Sequence, residues 1–293
     1  MGPSASLAGT GPHAVTVYVH GFNFGGVSTF DFRAVPAYDY AAKLAGLGQT
    51  SLVIDRLGFD SSGLPPGSKT CVGSAASVLH QIITAIRHGR YKLGARKAPR
   101  FPRVVVAGHD LGGEIAEVEA YSYSDVNGLM VLDFADAGLT PTLGQWSAQG
   151  FQDCSKGGEP ARPGGPGAYF DLGPPTDQLK RLAFVNADPA LVAKVVKYRR
   201  HNPCGDLTSA PAGFSADMAH LGEVKVPVLI AAGGNDVAFS SEGVRRQRSF
   251  FTGSKDVTVA ILAKTGHFPM FERTAPQFRG IVSRWLGRHA RMR

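Results

Sequence analysis

Apolar residues along this chain gather into six short runs, and several of the stretches between them turn helical in their spacing. Residues 14–19 (AVTVYV) alternate and are rich in β-branched side chains, which predicts a strand. Residues 51–55 (SLVID), 103–107 (RVVVA), 128–134 (GLMVLDF), 226–232 (VPVLIAA) and 256–263 (DVTVAILA) complete the set. Unbroken runs suit strands buried on both faces of a parallel sheet. Residues 73–88 place Val78, Ile82 and Ile86 on one helical stripe. Residues 112–122 form a second helix, and 274–289 a third with Phe278, Ile281, Val282 and Trp285 facing inward. The alternation predicts an α/β fold: a mostly parallel sheet with helices on both faces.

From about residue 139 to 221 the rhythm breaks. This stretch holds the Gly/Pro-rich loop GGEPARPGGPG and short helical pieces near 176–183 and 188–200. It separates the fourth predicted strand from the fifth. The expectation is a helical and loop cap inserted over the carboxyl edge of the sheet, where ligands of open α/β sheets bind. The predicted division is a first core segment at 1–138, the cap at 139–221 and a second core segment at 222–293.

Composition narrows the classes. With 293 residues, 43% hydrophobic and 18% charged, the chain is long enough for one large domain with an insertion. Its 37 glycines and 19 prolines follow no fixed period, so they mark loops. The net charge of +8 is spread over short clusters such as Arg199-Arg200, Arg245-Arg246 and the Arg288 to Arg293 stretch. None is interleaved with aromatics, so a solvated surface is expected and not nucleic-acid binding. No run reaches the ~20 apolar residues of a membrane span. The N-terminal segment lacks the charged and apolar regions of a signal peptide. Cys71, Cys154 and Cys204 form no CxxC pair, so no zinc site is expected. Cys154 and Cys204 share the middle region and are either a disulfide, implying an oxidising compartment, or two ordinary thiols. The location is therefore cytoplasmic, or secreted if they pair.

The sharpest motif is Gly108-His109-Asp110-Leu111-Gly112-Gly113, which ends a buried strand and opens a helix. That is the context of the turn written G-x-S-x-G, which lifts one side chain above a sheet and aims the next residue's amide at it. Here the lifted residue is Asp110. His20-Gly21-Phe22 follows the first strand; in a fold of this type that loop supplies the other amide of an oxyanion hole, from Phe22. Asp236 and His267 each follow one of the last two strands. The order nucleophile, acid, histidine is that of a hydrolytic triad. Asp136, after the fourth strand, is the runner-up acid. His109 and His20 are expected to be structural, and Glu114 and Glu117 to be solvated or to stand behind the site.

On these residues the chain resembles the α/β-hydrolases from residue 14 to 289. The Gly-His-Asp-x-Gly-Gly turn resembles their epoxide hydrolase and haloalkane dehalogenase branch. Asn23 stands where those epoxide hydrolases often carry Pro, and Leu111 where dehalogenases usually hold halide with Trp. The strands that usually begin this fold have no room before residue 14. The resemblance implies proton-donating cap tyrosines, for which Tyr169 and Tyr198 are the candidates, with Trp146, His201 and His220 as further donors.

A carboxylate attacking an acyl group gives an anhydride, whereas attack on a saturated carbon with a leaving group gives a stable ester. With an ordinary pKa of about 3.9, an Asp needs no base to activate it. The expected reaction is epoxide opening on Asp110, then cleavage of the ester by water activated by His267 and Asp236, with the Phe22 and Leu111 amides holding the oxyanion. The alternatives are a serine esterase fold whose Ser is replaced by Asp, a haloalkane dehalogenase, and a non-catalytic ligand-binding hydrolase fold. The expected partner is a small-molecule substrate, with no cofactor or metal, nucleic acid or membrane. The oligomeric state is not legible.

Overall fold

The computed structural model describes residues 14–289. Residues 1–13 and 290–293, which carry the N-terminal segment and the end of the basic C-terminal stretch, lie outside it. Strand β1 (Ala14–Val19) leads through helices α1 (Gly26–Phe30) and α2 (Tyr40–Ala45) to β2 (Ser51–Ile54). Helix α3 (Val72–His88), β3 (Arg103–His109), α4 (Leu111–Tyr123) and β4 (Gly128–Leu132) follow. An insertion then holds α5 (Pro141–Ser155), β5 (Tyr169–Phe170), α6 (Thr176–Ala183), α7 (Pro189–Val195), β6 (Asn202–Pro203) and α8 (Cys204–His220). The chain closes with β7 (Val228–Gly233), α9 (Ser241–Gln247), β8 (Val257–Leu262) and α10 (Ala275–His289).

The six long strands form one parallel sheet in the order β2-β1-β3-β4-β7-β8. Side chains alternate between its faces. Val17, Val106, Val131 and Ile230 pack with α3 and α4 on one side, and Val105, Met130, Leu132 and Leu229 with α10 on the other. All eight are fully buried, and each such side chain contributes about 1.5–3 kcal/mol. The edge strands β2 and β8 are mostly half-buried, which their position explains.

Register matters for function. Val17 lies opposite both Leu52 and Val106, so β1 is central. The chain winds outward from β1 to β2 on one side and from β3 on the other. The β1/β3 boundary is thus a topological switch point, where a crevice opens at the carboxyl ends of the strands. Phe22 follows β1 and Asp110 follows β3.

The insertion is more helical than its glycine content suggests. Helices α5 and α8, of 15 and 17 residues, stand where loop and short helices are expected. Pro211 sits inside α8, where it removes one backbone donor. Buried Leu207 and Ala210 pack into the main core and outweigh that loss. Cys154 and Cys204 are joined as a disulfide, tying the end of α5 to the start of α8. The buried stripe of α3 is Val72, Ala76, Leu79, Ile83 and Ile86, with Val78 and Ile82 half-buried beside it. No helix among the described residues is long and apolar enough to cross a membrane.

Candidate active site

Asp110 occupies the bend between β3 and α4 with φ 53° and ψ −133°. Such a backbone is strained for a residue with a Cβ, by about 1–3 kcal/mol. Its neighbours must be small. A Cβ on Gly108 would stand 1.8 Å from the Gly112 carbonyl oxygen, and one on Gly112 2.3 Å from that of Val19. A Cβ on Gly21 would meet Asp110 Oδ2 at 2.3 Å, so the loop after β1 can approach the carboxylate only as glycine.

The two oxygens of Asp110 face different partners. The Phe22 N–H donates to Oδ2 at 2.8 Å, and the Leu111 amide is a second backbone donor to the carboxylate. Oδ1 stands 3.9 Å from His267 Nε2. On the far side of the ring, His267 Nδ1 lies 3.0 Å from both oxygens of Asp236. The structure thus brings together Asp110, His267, Asp236, Phe22 and the Leu111 amide, from three strand ends and one loop. Asp136 is elsewhere: its backbone N–H and carboxylate are both held by Gln247. Asp236 is the acid at His267.

Burial alone would lower the pKa of His267. The charge of Asp236 and its hydrogen bond, then the charges of Asp110 and Asp133, outweigh burial and raise it to about 9. Burial raises Asp110, opposed by the His267 charge and the Phe22 and Leu111 amides. His109 is buried and pushed down to about 3, first by burial and then by His267. Its Nε2 donates to the His267 carbonyl at 2.7 Å, so it positions the histidine loop. His20 accepts from the Arg56 backbone and contacts Gly21, beneath Phe22.

Two cavities meet at Asp110, and Phe22, Asp110 and Leu143 line both. The larger, about 110 Å³, is apolar, with Phe134, Phe214 and Phe239 in its wall beside Glu114. The smaller, about 20 Å³, carries His267 and Trp146. That is room for about one water molecule.

Neither candidate tyrosine reaches these cavities. Tyr169 is buried with its hydroxyl on the Pro65 carbonyl at 2.7 Å. Tyr198 is exposed, its ring against Phe32. His201 rests on the Pro160 carbonyl and His220 on Glu223. Of the named donors only Trp146 lines a cavity at Asp110. Glu114 and Glu117, expected to be solvated or to stand behind the site, are fully buried. Helix α4 lies between the sheet and α8, so it has no wet face on that side.

Other residues that shape the site carry no sequence motif. Glu272 accepts from the amides of Val185, Asn186 and Gly266, stitching the histidine loop to the insertion. Asp133 accepts from Gly233 at 2.8 Å behind Asp236. Burial, then the charge of Asp236, raises Asp133 well above the usual carboxylate range.

Ligand atoms of Asp133, Asp236 and His267, of Glu117, Asp136 and Asp217, and of His80, Glu119 and Asp125 approach within 4.8 Å in each group. The first is the acid–histidine pair itself. In the second, burial raises Asp217 to about 9 and Glu117 well above its usual range, and Gln247 donates to both Glu117 and Asp136. In the third, burial raises Glu119 to about 9, and His80 meets Asp125 at 2.9 Å.

The model of the alpha/beta hydrolase family matches residues 16–278. The chain belongs to that family. Among solved structures, this hydrolase is similar in fold to an esterase from Exiguobacterium antarcticum, at TM-score 0.68 and 17% identity over 95% of this chain and 93% of that one. It is similar to a thermophilic esterase from Thermogutta terrifontis, at TM-score 0.66 and 17% identity over 95% and 91%. A monoacylglycerol lipase from Paleococcus ferrophilus gives TM-score 0.64 and 18% identity over 96% of both chains. No curated protein matches the chain.

Proposed function

We propose that this α/β hydrolase opens an epoxide by attack of Asp110 at a saturated carbon, and that water then cleaves the resulting ester. The observation that carries this reading is the division of labour within one carboxylate. Oδ2 lies on the Phe22 amide, while Oδ1 points toward His267. For a carboxylate nucleophile the oxyanion of the second step forms on its own side chain. One oxygen should therefore already occupy the amide cradle and the other face the substrate.

In the first step Oδ1 bonds to the substrate carbon as the C–O bond breaks. Esterification removes the Asp110 charge, which is one of the charges that raise His267. The imidazole then becomes a competent base for the water that fits beside it. Hydroxide adds to the Asp110 carbonyl carbon, and the amides of Phe22 and Leu111 hold the oxyanion; losing one such donor costs about 3–4 kcal/mol. Asp236 keeps Nδ1 protonated and the ring oriented. We read residues 139–221 as a cap that chooses an apolar substrate, since Leu143 and Phe214 of α5 and α8 line the larger cavity. The esterases and lipase of similar fold are named for ester cleavage. A carboxylate at position 110 opens no acyl-ester route to that chemistry.

The test is intact mass spectrometry of His267→Ala with terminal epoxides, alkyl halides and esters. The reading expects an epoxide adduct that accumulates and maps to Asp110. An acyl adduct from the esters, or no adduct from any probe, would sink it.

A further inference from the structure

We propose that Glu114 is the acid that protonates the oxygen leaving the substrate carbon as Asp110 attacks. This rests on the reading of Asp110 above and gives that site the proton donor that Tyr169 and Tyr198 are not placed to supply.

Glu114 follows Asp110 by one helical turn, and residues four apart share a helix face. It lines the larger, apolar cavity together with Asp110. The side chain is fully buried, and both carboxyl oxygens lack a hydrogen-bond partner among the described residues. Native proteins leave few buried polar atoms unpaired, so each asks for an explanation. Helix α8 makes room for this one: a Cβ on Gly213 would stand 1.7 Å from Glu114 Oε1. Glu114 thus lines the substrate cavity with a covered side chain whose carboxyl oxygens keep their hydrogen-bonding capacity unused.

Its surroundings keep a proton on it. Burial acts first and raises it well above the usual carboxylate range, and the acidic groups of Asp217, Asp136, Asp110 and Asp206 act in the same direction. Glu117 lies one turn further along α4 and is raised in the same way. Asp206 is itself paired with Arg56 at 2.6 Å. A carboxylic acid held neutral in an apolar site can donate at neutral pH.

The step balances. Asp110 Oδ1 forms a bond to carbon, and the epoxide C–O bond breaks with its electron pair on oxygen. That oxygen takes the Glu114 proton, leaving a hydroxyalkyl ester and a Glu114 carboxylate. In the second step water gives one proton to His267 and its hydroxide to the ester carbon. The departing alkoxide takes the proton from His267, and the proton of the regenerated Asp110 carboxyl returns through solvent to Glu114. The sum is epoxide plus water to diol.

A halide leaves without needing a proton, which separates this role from a structural one. The experiment follows adduct formation on Asp110 by intact mass, in His267→Ala and in His267→Ala/Glu114→Gln. The probes are styrene oxide and 1-bromobutane. The expected result is alkylation by the epoxide slowed ~100-fold or more by Glu114→Gln, with alkylation by the bromide unchanged. Equal epoxide rates in the two proteins overturn the proposal, as does an equal loss with both probes. Absence of any Asp110 adduct in His267→Ala alone overturns the reading of Asp110 itself.

Discussion

Arg56 and Asp206, 150 residues apart, form a buried ion pair at 2.6 Å beneath the loop that carries Phe22. Arg56 also donates from Nε to the His20 carbonyl and from Nη2 to the Gly21 carbonyl. One guanidinium thereby fixes the oxyanion loop to the first turn of α8. Removing one partner of a buried pair leaves an uncompensated charge, which costs about 3–5 kcal/mol. Asp206→Ala should lose that much stability by urea unfolding. The double variant Arg56→Met/Asp206→Leu should recover most of it and still turn over slowly, because the His20 and Gly21 carbonyls have lost their anchor. Full turnover in the double variant would show that Arg56 does not position the loop.

The site's pH behaviour follows from His267. Its folded-state pKa of about 9 lies above the unfolded value of 6.5. The fold therefore favours the protonated imidazole. That stabilisation is whole below about pH 6.5 and is lost as pH rises through about 9. Asp236→Asn should lower the His267 pKa, read from its ring resonances by NMR, and flatten the alkaline fall in stability. Asp110→Asn should lower it less, because its charge contributes less than that of Asp236. An unchanged His267 pKa in Asp236→Asn would contradict the assignment.

Much of this was legible in the residues, for a physical reason. Val104, Val105 and Val106 are apolar because β3 is buried on both faces, so the run announces itself. The Gly108, Gly112 and Gly113 spacing records close contacts that forbid a Cβ, so the elbow does too. The insertion is different. Nothing local in α8, with Pro211 inside it, forecasts a helix of 17 residues; its packing on α4 decides the matter. The same packing buries Glu114 and Glu117, which look solvated when α4 is read alone. The tyrosines mislead because the resemblance implies cap tyrosines without saying where they sit, whereas Tyr169 spends its hydroxyl on Pro65. Glu272 and Arg56 serve partners far away in the chain, which no single-chain spacing encodes.

The disulfide makes a prediction about stability that is independent of catalysis. Cys154 and Cys204 close a loop with a sequence separation of 50. Loop-closure entropy puts its contribution at about 4 kcal/mol. Cys154→Ser/Cys204→Ser, or reduction of the native chain, should lower the thermal midpoint by several degrees. The cavity wall from α5 and α8 should loosen first, seen as faster amide exchange there. A pair this placed supports an oxidising compartment as the proposed location. Equal stability with and without reductant would remove that support.

Asp110→Ser tests whether the remaining machinery is built for a carboxylate or merely tolerates one. In the native chain Oδ2 fills the Phe22 amide site, so no substrate carbonyl can use it. A serine hydroxyl is shorter and vacates it. The same change removes a charge that raises His267, so the ring becomes the base that a serine requires. Epoxide opening should vanish, because an uncharged hydroxyl attacks a saturated carbon poorly. Cleavage of p-nitrophenyl butyrate should appear, with a burst of about one nitrophenolate per chain marking an acyl-enzyme. If instead the native protein already cleaves that ester with a burst and the serine variant adds nothing, attack by Asp110 on saturated carbon loses its basis.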